Sequence, residues 1–324
     1  MKKYFDLKLE GKDWAKPFIV YWILYLIFSG PMSSSRWWQP ESGMGTGAYG
    51  GLSIVFTIVM VIISSAYTIK LARIAVPKLS IDGKAFGFQG AEGKFIGLNI
   101  GGLLLSIITI SIYMPWYIAK ITRYLASETE FDSENPDFLG KGGKLLGLFI
   151  LFFWIPVIII GAVIGFGSAR AVYHGGMGDY PAGAAWAGVL LFFLLIPFMY
   201  IMYRWYINFS WKDFNIKWET KFWPSVGYIL GQCALTAVTA GIYWPAAMLK
   251  LYRYFSNKTV VVQGDVIVGH LGFDGSIKKG FGLLWGQALL SIITIGFYLP
   301  WAYPKVGRWI AGSTYYTTAS QVNE

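Results

Sequence analysis

Long apolar runs separated by short polar boundaries dominate this chain. They cover roughly 14–32, 51–76, 94–119, 145–167, 183–203, 222–249 and 280–304, and most approach or exceed the ~20 residues that cross ~30 Å of hydrocarbon. Three of the runs carry one signal. Thr109-Ile-Ser-Ile-Tyr-Met-Pro115 returns as Thr239-Ala-Gly-Ile-Tyr-Trp-Pro245 and as Thr294-Ile-Gly-Phe-Tyr-Leu-Pro300. Gly101, Gly231 and Gly286 keep the register upstream, and so do Ser106, Thr236 and Ser291. Matches at fixed offsets predict a chain built by internal repetition.

The stretches 94–126, 222–256 and 277–311 are too long for one crossing, since ~35 residues of straight helix reach roughly 52 Å. Each is predicted to re-enter or kink near its middle, where proline and glycine interrupt the run. The candidate bend residues are Thr109, Pro115, Thr239, Gly241, Pro245, Thr294, Gly296 and Pro300. Tyr113, Tyr243 and Tyr298 stand beside these bends and could offer hydroxyls to freed backbone groups. A larger duplication is also visible. Two apolar segments flank a loop with Gly43-Met44-Gly45, two more flank one with Gly176-Met177-Gly178, and a bend-bearing stretch follows each pair.

These patterns define the expected fold: an all-α polytopic membrane protein in which a helix pair plus a re-entrant or kinked element recurs in tandem. One membrane domain, 1–324, would hold repeat 1 at about 14–130, repeat 2 at about 143–260 and an extra half-repeat at about 261–318. Between the helices the period changes. Lys78 to Phe88 alternates around Asp82-Gly83, the favoured two-residue hairpin turn, and Thr259 to Val268 repeats that logic around Gly264. Asn208 to Trp218 is a weaker version. Short cytoplasmic β-hairpins are expected there.

Composition agrees with a bilayer protein: 55% of residues are hydrophobic and 14% charged. The net charge of +10 would suggest nucleic acid in a soluble chain, but here the basic residues cluster at the ends of apolar runs, where they orient helices and meet anionic lipid. If the three stretches double back, all but Arg36 and Arg170 of the 27 lysines and arginines share one side. That side is expected to be cytoplasmic and to hold the N-terminus, in a multi-pass inner-membrane arrangement. The first apolar run follows a basic segment and lacks an Ala-x-Ala-like site, so it reads as an uncleaved helix.

Candidate chemistry is sparse. All 17 acidic residues lie outside the apolar cores, which argues against a proton relay or intramembrane cation site. The single cysteine, Cys233, allows no intrachain disulfide. His174 and His270 show no metal-ligand spacing, and no nucleophile set or phosphate loop is present. Neither catalysis, a metal nor a cofactor is expected. What recurs is a basic pair three residues apart, on one helix face: Lys120/Arg123, Lys250/Arg253 and Lys305/Arg308, with Lys70/Arg73 as a fourth member. These side chains either snorkel to the headgroups or line a cavity for an anionic amphiphile, a lipid or a small anion. The second reading predicts binding or passage of such a molecule. The alternative is a non-transporting scaffold that binds acidic lipid and a protein partner, with oligomeric state left open.

Gly272-Phe-Asp-Gly275, followed by Leu290-Ser-Ile-Ile-Thr-Ile-Gly-Phe-Tyr-Leu-Pro-Trp301 and Lys305-x-x-Arg308, resembles the YjgN-like family of bacterial inner-membrane proteins. Ser111 departs from the glycine of the other copies, and Ala246 from the tryptophan at 116 and 301. The resemblance implies a bacterial inner-membrane location and no particular reaction.

Overall fold

A computed structural model describes residues 1–33, 46–162, 165 and 182–318. Both glycine-rich loops, with Arg36, Arg170 and His174, lie outside the described residues.

The chain alternates strands with helical hairpins. Strand β1 (Lys3–Leu7) precedes helices α1 (Gly11–Ser33) and α2 (Thr46–Ala75). Strands β2 (Leu79–Ile81) and β3 (Lys84–Phe88) lead to α3 (Glu92–Ile108) and α4 (Met114–Ser127). Next come β4 (Thr129–Phe131), β5 (Asp137–Phe138), α5 (Gly142–Phe149, carried on by a π turn at Ile150–Trp154) and α6 (Ala182–Tyr206). Strands β6 (Phe209–Trp211) and β7 (Phe214–Trp218) precede α7 (Phe222–Val238) and α8 (Trp244–Ser256). Strands β8 (Thr259–Gln263) and β9 (Val266–Phe273), helices α9 (Ile277–Ile293) and α10 (Leu299–Ala311), and strand β10 (Thr314–Thr318) complete the order.

All ten strands join one antiparallel sheet, in the order β4-β3-β2-β1-β10-β9-β8-β7-β6-β5. Every neighbour is also a neighbour in the chain, except that β10 meets β1 (Lys3 opposite Tyr316). The two edge strands, β4 and β5, are themselves consecutive and joined through residues 132–136. The sheet is therefore an up-and-down meander that lacks one ladder. The chain makes five helical hairpins at one end of the strands, among the described residues, and short connections at the other.

Neighbouring hairpins pack side by side. Ile69 of α2 is buried with Phe95 of α3 and Tyr124 of α4. Ala119 of α4 meets Leu145 of α5 and Trp205 of α6, and Tyr200 of α6 meets Val226 of α7. Glycine at 280 lets α9 approach Leu249 of α8, whose side chain would lie 2.5 Å from a Cβ there. The last hairpin returns to the first: the Trp14 indole N–H donates to the Pro300 carbonyl at 2.9 Å, and a Cβ on Gly11 would strike the Trp301 ring. The five hairpins thus close a circle above the sheet.

This architecture corrects the all-α polytopic expectation. A ten-stranded sheet organises the chain, and among the described residues only Ile54–Lys78 and Gly142–Ala162 are helices long and apolar enough to cross a membrane. The repeated 33–35-residue stretches divide into helices of 17 and 14 residues, or 17 and 13. The expected short hairpins are strands of this sheet. Several strands have only two or three residues, too few to show an alternating pattern on their own.

Candidate functional site

Each of the three shorter hairpins reverses through the same backbone device. Thr109, Thr239 and Thr294 end the first helix, and each hydroxyl donates to the carbonyl four residues back, at 2.7, 2.8 and 2.8 Å. The same oxygen accepts the amide of Tyr113, Tyr243 or Tyr298, at 3.0, 3.1 and 3.0 Å, and so ties the start of the second helix to the end of the first. Two left-handed residues lie between: Ile110 and Ser111 (φ 50° and 65°), Ala240 and Gly241 (48° and 87°), Ile295 and Gly296 (50° and 86°). Pro115, Pro245 and Pro300 occupy the first turn of the second helix, where no amide hydrogen is required. The bend candidates therefore all sit in or beside these turns.

The basic pairs have local partners. Lys120 and Lys305 donate to the hydroxyls of Tyr113 and Tyr298 at 2.7 and 2.8 Å. Lys250 lies over the Tyr243 ring, 5.3 Å from its centre. The arginines reach carbonyls at the strand-to-helix junctions. Arg73 donates to Gly90 at 2.7 and 3.0 Å and to Glu92; Arg123 donates to Phe138 and Gly140 at 3.4 Å; Arg253 donates to Gly275.

Each receiving glycine follows a phenylalanine by two residues. A Cβ on Gly90, Gly140 or Gly275 would fall 2.6, 2.2 or 2.5 Å from the ring of Phe88, Phe138 or Phe273. The Phe-x-Gly sequence is thus a folded corner with the arginine as its clamp. Arg308 lies in the last turn of α10. The hydrogen-bonded Lys12 holds the Glu10 carboxyl below the usual carboxylate range, and Arg308 adds a minor attraction. Lys70 is exposed on α2. These pairs hold separate junctions and do not converge on one chamber.

The cavity is elsewhere, inside the curl of the sheet. It is an open pocket of about 820 Å³, within the ~300–1,000 Å³ of ligand pockets. Alternate strand residues face it, as the two-residue period of a strand requires. Phe5 and Ile81 are cross-strand partners, as are Phe86 and Phe131, Ile216 and Val261, and Leu271 and Tyr316, and all eight line the chamber. Leu125 and Ala126 of α4 reach it from the helical side. Its polar lining includes Lys3, Asp82, Lys84 and Asp132. Lys3 pairs with Asp82 at 2.5 Å, and Asp132 receives Lys84 at 2.5 Å and Lys212 at 3.2 Å. These two hydrogen-bonded lysines, Lys84 first, hold the Asp132 carboxyl below its ordinary value. No cluster of three or more potential metal ligands occurs among the described residues. None of the eight candidate basic residues lines the chamber. Sequence reading missed it because its walls come from nine strands, each contributing one or two residues.

The fold defines a class before any relative is considered: a circle of helical hairpins standing on a nearly closed meander sheet with an apolar chamber. A family model described as bacterial protein of unknown function, DUF898, matches residues 83–266, more than half of the chain. The chain belongs to that family. It is similar to the inner membrane protein YjgN of Escherichia coli strain K12, 27% identical over 86 residues covering 26% of this chain and 22% of the relative. It is also similar to the inner membrane protein YjgN of Salmonella typhimurium strain LT2, 29% identical over 112 residues covering 35% and 25%. The matched stretches thus span a quarter or less of the length of these relatives. The YjgN-like resemblance stands at the level of family. No solved structure matches.

Proposed function

We propose that this chain is a non-catalytic inner-membrane protein that holds the apolar chain of a single-chain anionic amphiphile inside its sheet. The observation that carries this reading is the chamber of about 820 Å³, walled by aromatic and aliphatic strand residues with lysines at its polar margin. In the lining Lys3 and Lys84 are matched by Asp82 and Asp132, and Lys212, which reaches Asp132 from beside the lining, supplies the extra positive charge toward which we place a negative head group. The anion reading moves accordingly from the repeated basic pairs to this margin.

Support for the membrane location comes from the named relatives, the two long apolar helices and the bare tips of the shorter hairpins. Ile108 is 75% exposed, Val238 85% and Ile295 77%, surfaces that water disfavours. In the arrangement we propose, the sheet and the N-terminus face the cytoplasm, because the basic residues gather at the sheet end. A fluorescent reporter fused before Met1 should be active on the cytoplasmic side; an exclusively external signal would reverse the orientation.

The chamber is tested with a dansylated fatty acid added to the purified full chain in detergent. Saturable binding is expected, and Ile216→Glu, which puts a carboxylate into the apolar wall, should weaken it at least tenfold. Loss of binding instead on replacing Arg123, Arg253 and Arg308, with Ile216→Glu inert, would return the site to the basic pairs.

A further inference from the structure

Around the sides of this open chamber the strands are laddered everywhere except between β4 and β5. Elsewhere adjacent strands share a hydrogen-bonded ladder, whereas these two share none. Strand β5 has only two residues, so it stops short of the neighbour it should cover, and Trp211 of β6 reaches past it. The Trp211 indole N–H donates to the Phe131 carbonyl at 3.1 Å, and the two rings stand 5.3 Å apart. Asp132, just after β4, completes the contact. Its carboxylate takes Lys84 from the β4 side and Lys212 from the β6 side, and the two lysine side chains are 58% and 32% exposed. At the helical end of the gap α4 fills the space, with Phe138 buried against Ala119 and Ala126.

The gap is therefore closed firmly next to the helices and lightly at the far end. Exposed ion pairs and one hydrogen bond separate far more readily than a strand ladder. The residues at that light end, Phe86, Phe131, Asp132 and Trp211, are themselves chamber walls. Parting Trp211 and Lys212 from Phe131 and Asp132 opens the chamber sideways without breaking any ladder. Asp132 and Ser133 already form a tight reversal at positive φ, 54° and 63°, bridged between Phe131 and Glu134. That small unit can swing as one piece.

We propose that the junction of β4 with β6 across β5 is the portal through which an amphiphile reaches the chamber, with Asp132 as its latch to Lys84 and Lys212. This rests on the amphiphile reading of the chamber. The latch delays exchange, while the apolar wall holds the ligand's chain.

A reversible staple tests it, in the full chain carrying Cys233→Ala. One protein has Asp132→Cys and Lys212→Cys joined by a short bis-methanethiosulfonate linker. A control has Asp6→Cys and Ser80→Cys joined in the same way, at positions opposite each other on laddered strands and outside the chamber lining. Stopped-flow uptake of the dansylated fatty acid should slow at least tenfold in the first protein, recover when reductant removes the linker, and stay unchanged in the control. Asp132→Asn without any staple should speed release several-fold while leaving the wall intact. Equal uptake rates in both stapled proteins, or slowing in both alike, would overturn the portal while the chamber reading stands. Absence of probe binding in the unstapled protein would overturn both.

Discussion

Gly102 and Tyr117 face each other across the first of the shorter hairpins, and the pair shows how one residue's size is set by another's. A Cβ on Gly102 would lie 1.9 Å from the Tyr117 ring, so the glycine exists to admit the tyrosine. At the matching positions the sizes are exchanged: Gln232 and Ala247 stand there in the second of these hairpins, Gln287 and Ala302 in the third. There the glutamine accepts the hydroxyl of Tyr243 or Tyr298, both at 3.1 Å. In the first hairpin Tyr117 instead donates to Asn99 at 2.7 Å. Gly102→Ala should cost about 1–3 kcal/mol, the usual penalty for overpacking. The double change Gly102→Gln with Tyr117→Ala should recover most of it. Thermal unfolding of the detergent-solubilised protein measures both; a double variant no better than the sum of its parts would show that the two positions are independent. Such compensation is invisible to anyone reading either position alone.

At the scale of the element, the turn chemistry was the most legible part of the chain. Threonine, glycine and proline act through backbone geometry within a few residues, and their effect does not wait for tertiary contacts. Thr239 joins the Leu235 carbonyl to the Tyr243 amide through one oxygen. Thr239→Val keeps the shape and removes that oxygen, so it should destabilise the hairpin by about 1–2 kcal/mol, whereas Thr239→Ser should lose far less. Hydrogen exchange at the Tyr243 amide gives a direct check, with equal protection in all three proteins as the outcome that excludes the tie. The strands were less legible. Asp82-Gly83 betrayed a turn because both residues adopt positive φ, 54° and 76°, as such hairpins require. Nothing comparable marks β1, β5 or β10, whose order comes from partners far away in the chain. Lysine at 120 and arginine at 123 were visible as a motif, but their work was not, because the carbonyls that Arg123 clamps at Phe138 and Gly140 lie beyond an acidic connector.

For the whole molecule, the sheet turns ten fragments into one wall, and its apolar chamber is a property of that wall. No single strand supplies more than a few of its residues, which is why composition and periodicity pointed to lipid-facing helices and missed the chamber. The weakest place in the wall also makes it sensitive to acid. Lys84, and then Lys212, hold the Asp132 carboxyl below its ordinary value. Its contribution to closure is complete above the unfolded value of about 3.9 and fades as pH falls through the lower folded one. Hydrogen exchange of residues 131–136, corrected for intrinsic rates, should therefore rise as pH falls below about 4, and Asp132→Asn should show no such step. An identical step in that variant would assign the effect to another carboxyl. A different consequence follows from the pairing of β1 with β10. The ribosome makes β1 first and β10 after all the other strands, so one border of the earliest strand must wait, uncovered, for residues 314–318. During synthesis that border is a sticky template for foreign chains, and protection comes only when the last strand docks.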